Sequence, residues 1–238
     1  MQTEVLLDRF LAGLAPLSPV AVWAHGSLAG GDYQEGRSDL DLIAVLDSVG
    51  PRMVWRLATL HARLRAEPLA GQLHCTYLTP SADPGRRHLT WAHEELFKRP
   101  VTPVTRRELH SFGRVLHGKP PADLLPPVTD RELADFVVRD QRDFWRPALD
   151  NAPLWTRDVW VDLGLLTFAR ASVTLREGRL ISKREALELL PGLGSPVEVV
   201  ADIRGRRYGD PGPAPANRAE LTRNYLGPAI DELVAAYG

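Results

Sequence analysis

A chain of 238 residues accommodates one large domain or two small ones, and 44% apolar with 25% charged residues is the balance of a globular, water-soluble protein. Its 29 basic and 30 acidic side chains leave a net charge of −1, which lacks the basic excess of a general nucleic-acid binder. The single cysteine, Cys75, excludes an intrachain disulfide, and no stretch approaches the ~18 apolar residues of a membrane span.

In chain order, the N-terminus lacks the basic region and apolar run of a secretory leader, which predicts a cytoplasmic protein. "TEVLLDRFLAGL" sets Leu7, Phe10, Leu11 and Leu14 on one helical face, with Thr3 as expected N-cap and Pro16 and Pro19 as terminators. "VAVWAH" (20–25) reads as a strand, followed by a Gly-rich turn, and "LDLIAVL" (40–46) as the next strand. Pro51 opens a crossover helix over 51–68, with Val54, Leu57, Ala58, Leu60 and Leu64 as its apolar positions. "QLHCTYLT" (72–79) is a third strand, with Cys75 expected as a buried structural residue, and "SFGRVLHG" (111–118) is a further candidate.

The four prolines of 117–128 mark a domain boundary, after which the signals turn helical. Thr129 with Glu132, and Ser182 with Glu185, have capping-box spacing. The first of these helices is expected to align Leu133, Phe136, Val137 and Phe144. A long helix over 157–178 closes on Gly178, 205–217 reads as a Gly/Pro loop, and a last helix begins near Asn217. The expected fold class is α+β: a domain with a mixed sheet and helices (1–125), a helical bundle domain (126–238), and a cleft between them.

"HGSLAGGDYQEGRSDLDLIAVLD" (25–47) carries the chemistry. In a strand, residues two apart share a face, so Asp39 and Asp41 project together while Leu40 and Leu42 project oppositely. Two adjacent carboxylates repel unless a cation lies between them. Magnesium suits the pair, because it takes one or two carboxylates and completes its shell with substrate phosphates. Gly26 lets backbone approach a ligand, and Ser27 offers a hydroxyl and an N–H to a phosphate oxygen. Taken alone, Asp-x-Asp is also what the solvent face of an edge strand carries.

The combination of strand, Gly-Ser, spacer and Asp-apolar-Asp resembles the signature of the DNA polymerase beta-like nucleotidyltransferase superfamily. "LLTFARASVTLREGRLISKREALELL" (165–190) is similar to the helical domain of the aminoglycoside adenylyltransferases that modify streptomycin and spectinomycin. The resemblance spans Trp23 to Tyr208. It implies Mg²⁺ on Asp39 and Asp41, ATP as co-substrate with Gly26 and Ser27 on its phosphates, and transfer of AMP to a hydroxyl of a small, aminoglycoside-like acceptor. It further implies Arg170, Lys183 and Tyr208 near the nucleotide, with Arg170 alternatively pairing with Asp140 or Asp162. A polycationic acceptor calls for acidic and aromatic side chains, and Trp91, Glu94, Trp160 and Asp162 are the candidates. The sequence departs from the pattern at one point. Enzymes of this kind use a third carboxylate on the strand after the crossover helix, and here that position falls on His74, which can itself accept a proton near neutral pH. This leaves two alternatives: a nucleotide-binding protein with weak or no transferase activity, and transfer to a protein or RNA acceptor. Oligomeric state is open.

Overall fold

The computed structural model describes residues 1–80 and 82–238, which form two compact units, Met1–Val128 and Thr129–Gly238. The first is built on helix α1 (Gln2–Leu14), strand β1 (Ala21–Ala24), a single helical turn α2 (Gly26–Ala29), β2 (Leu40–Val45), α3 (Pro51–Leu64), β3 (Leu73–Leu78), β4 (His88–Ala92), β5 (Glu95–Arg99), α4 (Pro103–Phe112) and β6 (Arg114–Gly118). The strands make one six-stranded sheet in the order β5-β4-β3-β2-β1-β6. Only β2 and β3 pair in parallel, which requires a crossover connection, and α3 is that crossover.

Alternation along the strands divides the core in two. Leu40, Leu42 and Ala44 of β2 and Leu73, Cys75 and Tyr77 of β3 meet Phe10 and Leu14 of α1 and Leu57, Leu60 and Leu64 of α3. Burying each of these leucines contributes on the order of 2 kcal/mol. Ala21 and Trp23 of β1, Ile43 and Val45 of β2 and Leu78 of β3 face the other way, against Leu109 of α4 and Leu125. By the same parity His25, Asp39, Asp41 and His74 belong to the α4 face.

Several local expectations change. Thr3 lies inside α1 rather than capping it: its N–H and hydroxyl donate to Glu35 Oε2 at 3.0 and 2.8 Å, and its Oγ1 lies 2.9 Å from the Tyr33 hydroxyl. The helix is thereby tied to the segment that precedes Asp39. The hairpin of β4 and β5 and helix α4 add to the expected elements. The hairpin turns on His93 and Glu94, both left-handed (φ 52° and 61°), where glycine or asparagine would have announced a tight turn. The 111–118 segment splits, its first two residues ending α4 and Arg114–Gly118 forming β6.

The second unit is helical: α5 (Asp130–Asp140), a π-turn (Gln141–Trp145), short α6 (Arg146–Ala148) and α7 (Ala152–Trp155), then α8 (Asp158–Glu177), α9 (Lys183–Leu189), α10 (Val197–Tyr208) and α11 (Arg218–Tyr237). Its core gathers around α8, with Leu165, Phe168, Ala169 and Val173 packed with Leu187, Ile203, Leu226 and Ile230. Gly164 sits mid-helix because a Cβ there would come within 2.8 Å of the Trp155 ring and 3.0 Å of Leu226 Cδ1. The Ser182–Glu185 capping box forms in full, and Thr129 accepts from the Glu132 N–H. Phe144 does not share the face of Leu133 and Val137: the π-turn rotates it outward, and it is exposed. The 205–217 stretch is helical through Tyr208, held by bonds from Arg206 to Asp202 one turn earlier and to Asp162. Among the described residues, no helix is long and apolar enough to cross a membrane.

Candidate functional site

The site grows from the end of β1 and the start of β2. His25 extends β1 by one residue, and its N–H donates to the Asp41 carbonyl at 2.9 Å. Gly26 then turns the chain at φ +60°. A Cβ there would lie 2.7 Å from Asp41 Oδ2, so only glycine lets this turn and that carboxylate approach each other. The turn is knitted by the Gly30 N–H to the Gly26 carbonyl (2.9 Å) and the Asp32 N–H to the Ser27 carbonyl (3.0 Å). Gln34 and Ser38 close a second turn that delivers Asp39 to the head of β2, with the Ser38 hydroxyl accepting from the Gln34 N–H at 3.1 Å.

Asp39 is about half exposed (51%) and Asp41 less so (28%), as the shared face and the strand end dictate. Parallel pairing of β2 with β3 places His74 opposite Asp41. The His74 ring is buried between the two aspartates, its Nε2 3.8 Å from Asp39 Oδ1 and its Nδ1 3.7 Å from Asp41 Oδ1. Burial pushes the Asp41 carboxyl up, but the close approach of His74, His25 and Arg99 outweighs this and holds it at about 2. His74 Nε2 is buried without a hydrogen-bond partner. The His93 ring, from the β4–β5 turn, stands edge-on to His74 with centroids 4.6 Å apart, and Glu94 follows it, exposed.

Two carboxylates on one face, with a glycine turn touching one of them, offer the oxygen donors that a hard cation takes, whereas the imidazole between them does not. Among the described residues, no three His, Cys, Asp or Glu side chains converge as a complete metal-binding group. The donor set therefore fits a cation that takes its remaining ligands from a phosphate-bearing substrate and water, as magnesium does, and not one caged by protein alone.

The other residues expected at the site divide between the two units. Trp91 is a correction: it is buried, stacked on His61 with centroids 4.3 Å apart, and presents no surface to an acceptor. Cys75 is buried as expected, and burial pushes its thiol up to about 12, out of the range of a nucleophile. In the second unit, both Asp162 oxygens are taken, by Arg206 at 2.5 and 2.6 Å and by Arg218 at 2.9 Å, so Asp162 joins α8, α10 and α11. Trp160 is half-buried in an aromatic cluster with Phe144, Trp145 and Trp155 at 5.9–6.2 Å. Arg170 donates Nε–H to the Ile181 carbonyl at 2.9 Å, inside the same unit. Asp140, one of its expected partners, accepts from Trp145 Nε1 at 3.1 Å. Lys183 opens α9 beside its capping box, and Tyr208 ends α10 with the Arg184 guanidinium 4.1 Å above its ring.

The sequence matches no family model and no curated protein. The structure is similar to the crystal structure of the spectinomycin adenyltransferase AAD(9) from Enterococcus faecialis with ATP and spectinomycin. The TM-score is 0.72, over 97% of this chain and 98% of that one, at 15% identity. The chain shares the fold of that protein. At that identity the likeness concerns the path of the backbone, end to end, and it agrees with a mixed sheet followed by a helical region.

Two residues at the site went unnoticed in the sequence. Glu108, from α4, meets His25 with Oε2 3.2 Å from Nδ1, and both side chains are buried. No spacing pattern links positions 25 and 108; the sheet face they share does. His93 reaches His74 through a hairpin whose turn has no glycine to announce it.

Proposed function

We propose that this protein is a nucleotidyltransferase that moves AMP from ATP to a hydroxyl of a small, cationic acceptor of the aminoglycoside or aminocyclitol kind. The observation that carries the reading is the contact of the Gly26 turn with the Asp41 carboxylate, in a chain with the fold of an ATP-using adenyltransferase. Gly26 and Ser27 present backbone N–H and hydroxyl groups to the triphosphate, and Asp39 with Asp41 would hold Mg²⁺, which neutralises charge on the phosphates when bound. The acceptor oxygen attacks the α-phosphorus, the bond to the β-phosphate oxygen breaks, and pyrophosphate leaves. His74 stands in place of the expected carboxylate, between the two aspartates, and is the candidate acceptor of the hydroxyl proton. Arg170, Lys183 and Tyr208 of the helical unit remain candidates for the nucleotide, and Glu94 and Trp160 for the acceptor.

The test is pyrophosphate release from ATP with Mg²⁺ across a panel of such acceptors. Wild type releases pyrophosphate with at least one of them, and D39N slows release by at least about 100-fold, a loss of roughly 2.7 kcal/mol in transition-state stabilisation. Full turnover by D39N would overturn the mechanism. His74 in place of a carboxylate favours one other reading, a nucleotide-binding protein without transfer. Calorimetric binding of ATP without pyrophosphate release on any acceptor is its signature.

A further inference from the structure

We propose that Glu108 is a positioning residue for the nucleotide: acting through His25, it sets the orientation of the Gly26–Ser27 turn. The inference rests on the nucleotidyl-transfer reading of that turn. Glu108 lies inside α4 and is buried, where a carboxylate is costly unless it is paired, and an apolar side chain would fill the space at lower cost. Its Oε2 lies 3.2 Å from His25 Nδ1. With Glu108 accepting from Nδ1–H, both the tautomer and the rotation of the imidazole are set.

His25 is the last residue before the turn. Its backbone N–H is already pinned to the Asp41 carbonyl at 2.9 Å, so a second pin through the ring fixes the plane from which Gly26 departs. One helical turn beyond Glu108, on the same face of α4, Phe112 rests on the far side of the loop: a Cβ on Gly30 would lie 3.4 Å from its ring. Thus α4 grips the turn at both ends, once by a charged hydrogen bond and once by an aromatic contact. A groove for phosphate oxygens needs its N–H donors aimed before the ligand arrives, because each disordered donor loses affinity. Glu108, His25 and Phe112 bear on the turn itself, so their loss is expected first in nucleotide binding.

The experiment measures ATP affinity by calorimetry in the presence of Mg²⁺, and KM for ATP and for the acceptor, in the full-length chain. E108A is expected to weaken ATP binding and raise its KM about 10-fold while leaving the acceptor KM unchanged. E108Q, which keeps an oxygen acceptor, holds the loss to within about 3-fold. From the other side of the pair, H25N retains a donor near the Nδ1 position and keeps its ATP affinity, whereas H25Q does not. The H25N and H25Q pair carries the test should E108A fail to fold. Nitrogen chemical shifts of His25 report the Nδ1–H tautomer in wild type and its loss in E108A, without any nucleotide. Wild-type ATP affinity in E108A and H25Q, or an equal loss in E108Q and E108A, would overturn the positioning role and leave the function standing. A wild-type chain that binds no ATP would overturn the function, and this role with it.

Discussion

Gly26 shows how one missing side chain can be a site feature. Its φ of +60° is open to glycine and strained for other residues, and its absent Cβ is what admits Asp41 Oδ2 to the turn. G26A should therefore cost about 1–3 kcal/mol of stability in backbone strain, and should abolish nucleotide binding beyond what that destabilisation explains. Denaturant midpoints and calorimetry on the same preparation separate the two effects; a G26A protein that binds ATP normally would remove the turn from the site. At this scale the sequence was most informative where chemistry is local. The i, i+2 spacing alone places Asp39 and Asp41 together, and Gly-Ser precedes them across an eleven-residue spacer. It was least informative at Trp91 and Asp162. A tryptophan or aspartate is written identically whether it faces solvent, a ring such as His61, or a pair of arginines such as Arg206 and Arg218.

Among elements, the junction of α3 with β3 and β4 contains a third buried histidine with a different consequence. His61 is 2% exposed, with Nε2 2.6 Å from the Tyr77 hydroxyl and its ring stacked on Trp91. Burial pushes it down to about 3. An unfolded histidine titrates near 6.5, so below that pH the unfolded chain takes a proton that the folded chain refuses. Stability is therefore full above about pH 6.5 and falls as pH drops from there toward 3, by up to ~1.4 kcal/mol per unit. Urea denaturation at pH 7, 6 and 5 should show that slope in wild type and its reduction in H61F. An equal slope in H61F would assign it to other groups. The helices with capping signals, α5 and α9, start where their sequences say, because Thr129 and Ser182 meet backbone donors three residues on. The β4–β5 hairpin was not legible, because His93 and Glu94 adopt left-handed backbone that their identities do not announce; α4, by contrast, is announced by Thr102, whose hydroxyl accepts from the Thr105 N–H, and by Pro103 at its first position.

On the scale of the molecule, each unit has its own core, and charge is used differently in each. In Met1–Val128 the paired carboxylates stand at the head of the interior strand β2 on the α4 face, while in Thr129–Gly238 Asp158, Asp162 and Asp202 join helices. Asp162, with Asp158 and Asp202, holds Arg206 and Arg218. D162A should lower stability by about 2 kcal/mol, less than the 3–5 typical of a broken buried pair, because Asp158 and Asp202 still serve the two arginines. Urea midpoints and amide exchange across α8, α10 and α11 check this, and KM for any acceptor found should stay unchanged. A raised acceptor KM at wild-type stability would return Asp162 to the acceptor.

By itself the sequence determined the alternation that sorts the strands, the crossover from β2 to β3, the caps of the helical unit and the common face of Asp39 and Asp41. All of these depend on residues within a few positions of one another, where backbone geometry leaves little choice. Only the tertiary structure decided that His74 lies between those aspartates, that Glu108 reaches His25 and that Trp91 and Asp162 are committed to packing and ion pairs. These contacts join positions tens of residues apart, and they exist only once sheet register and helix docking have brought the partners to one place.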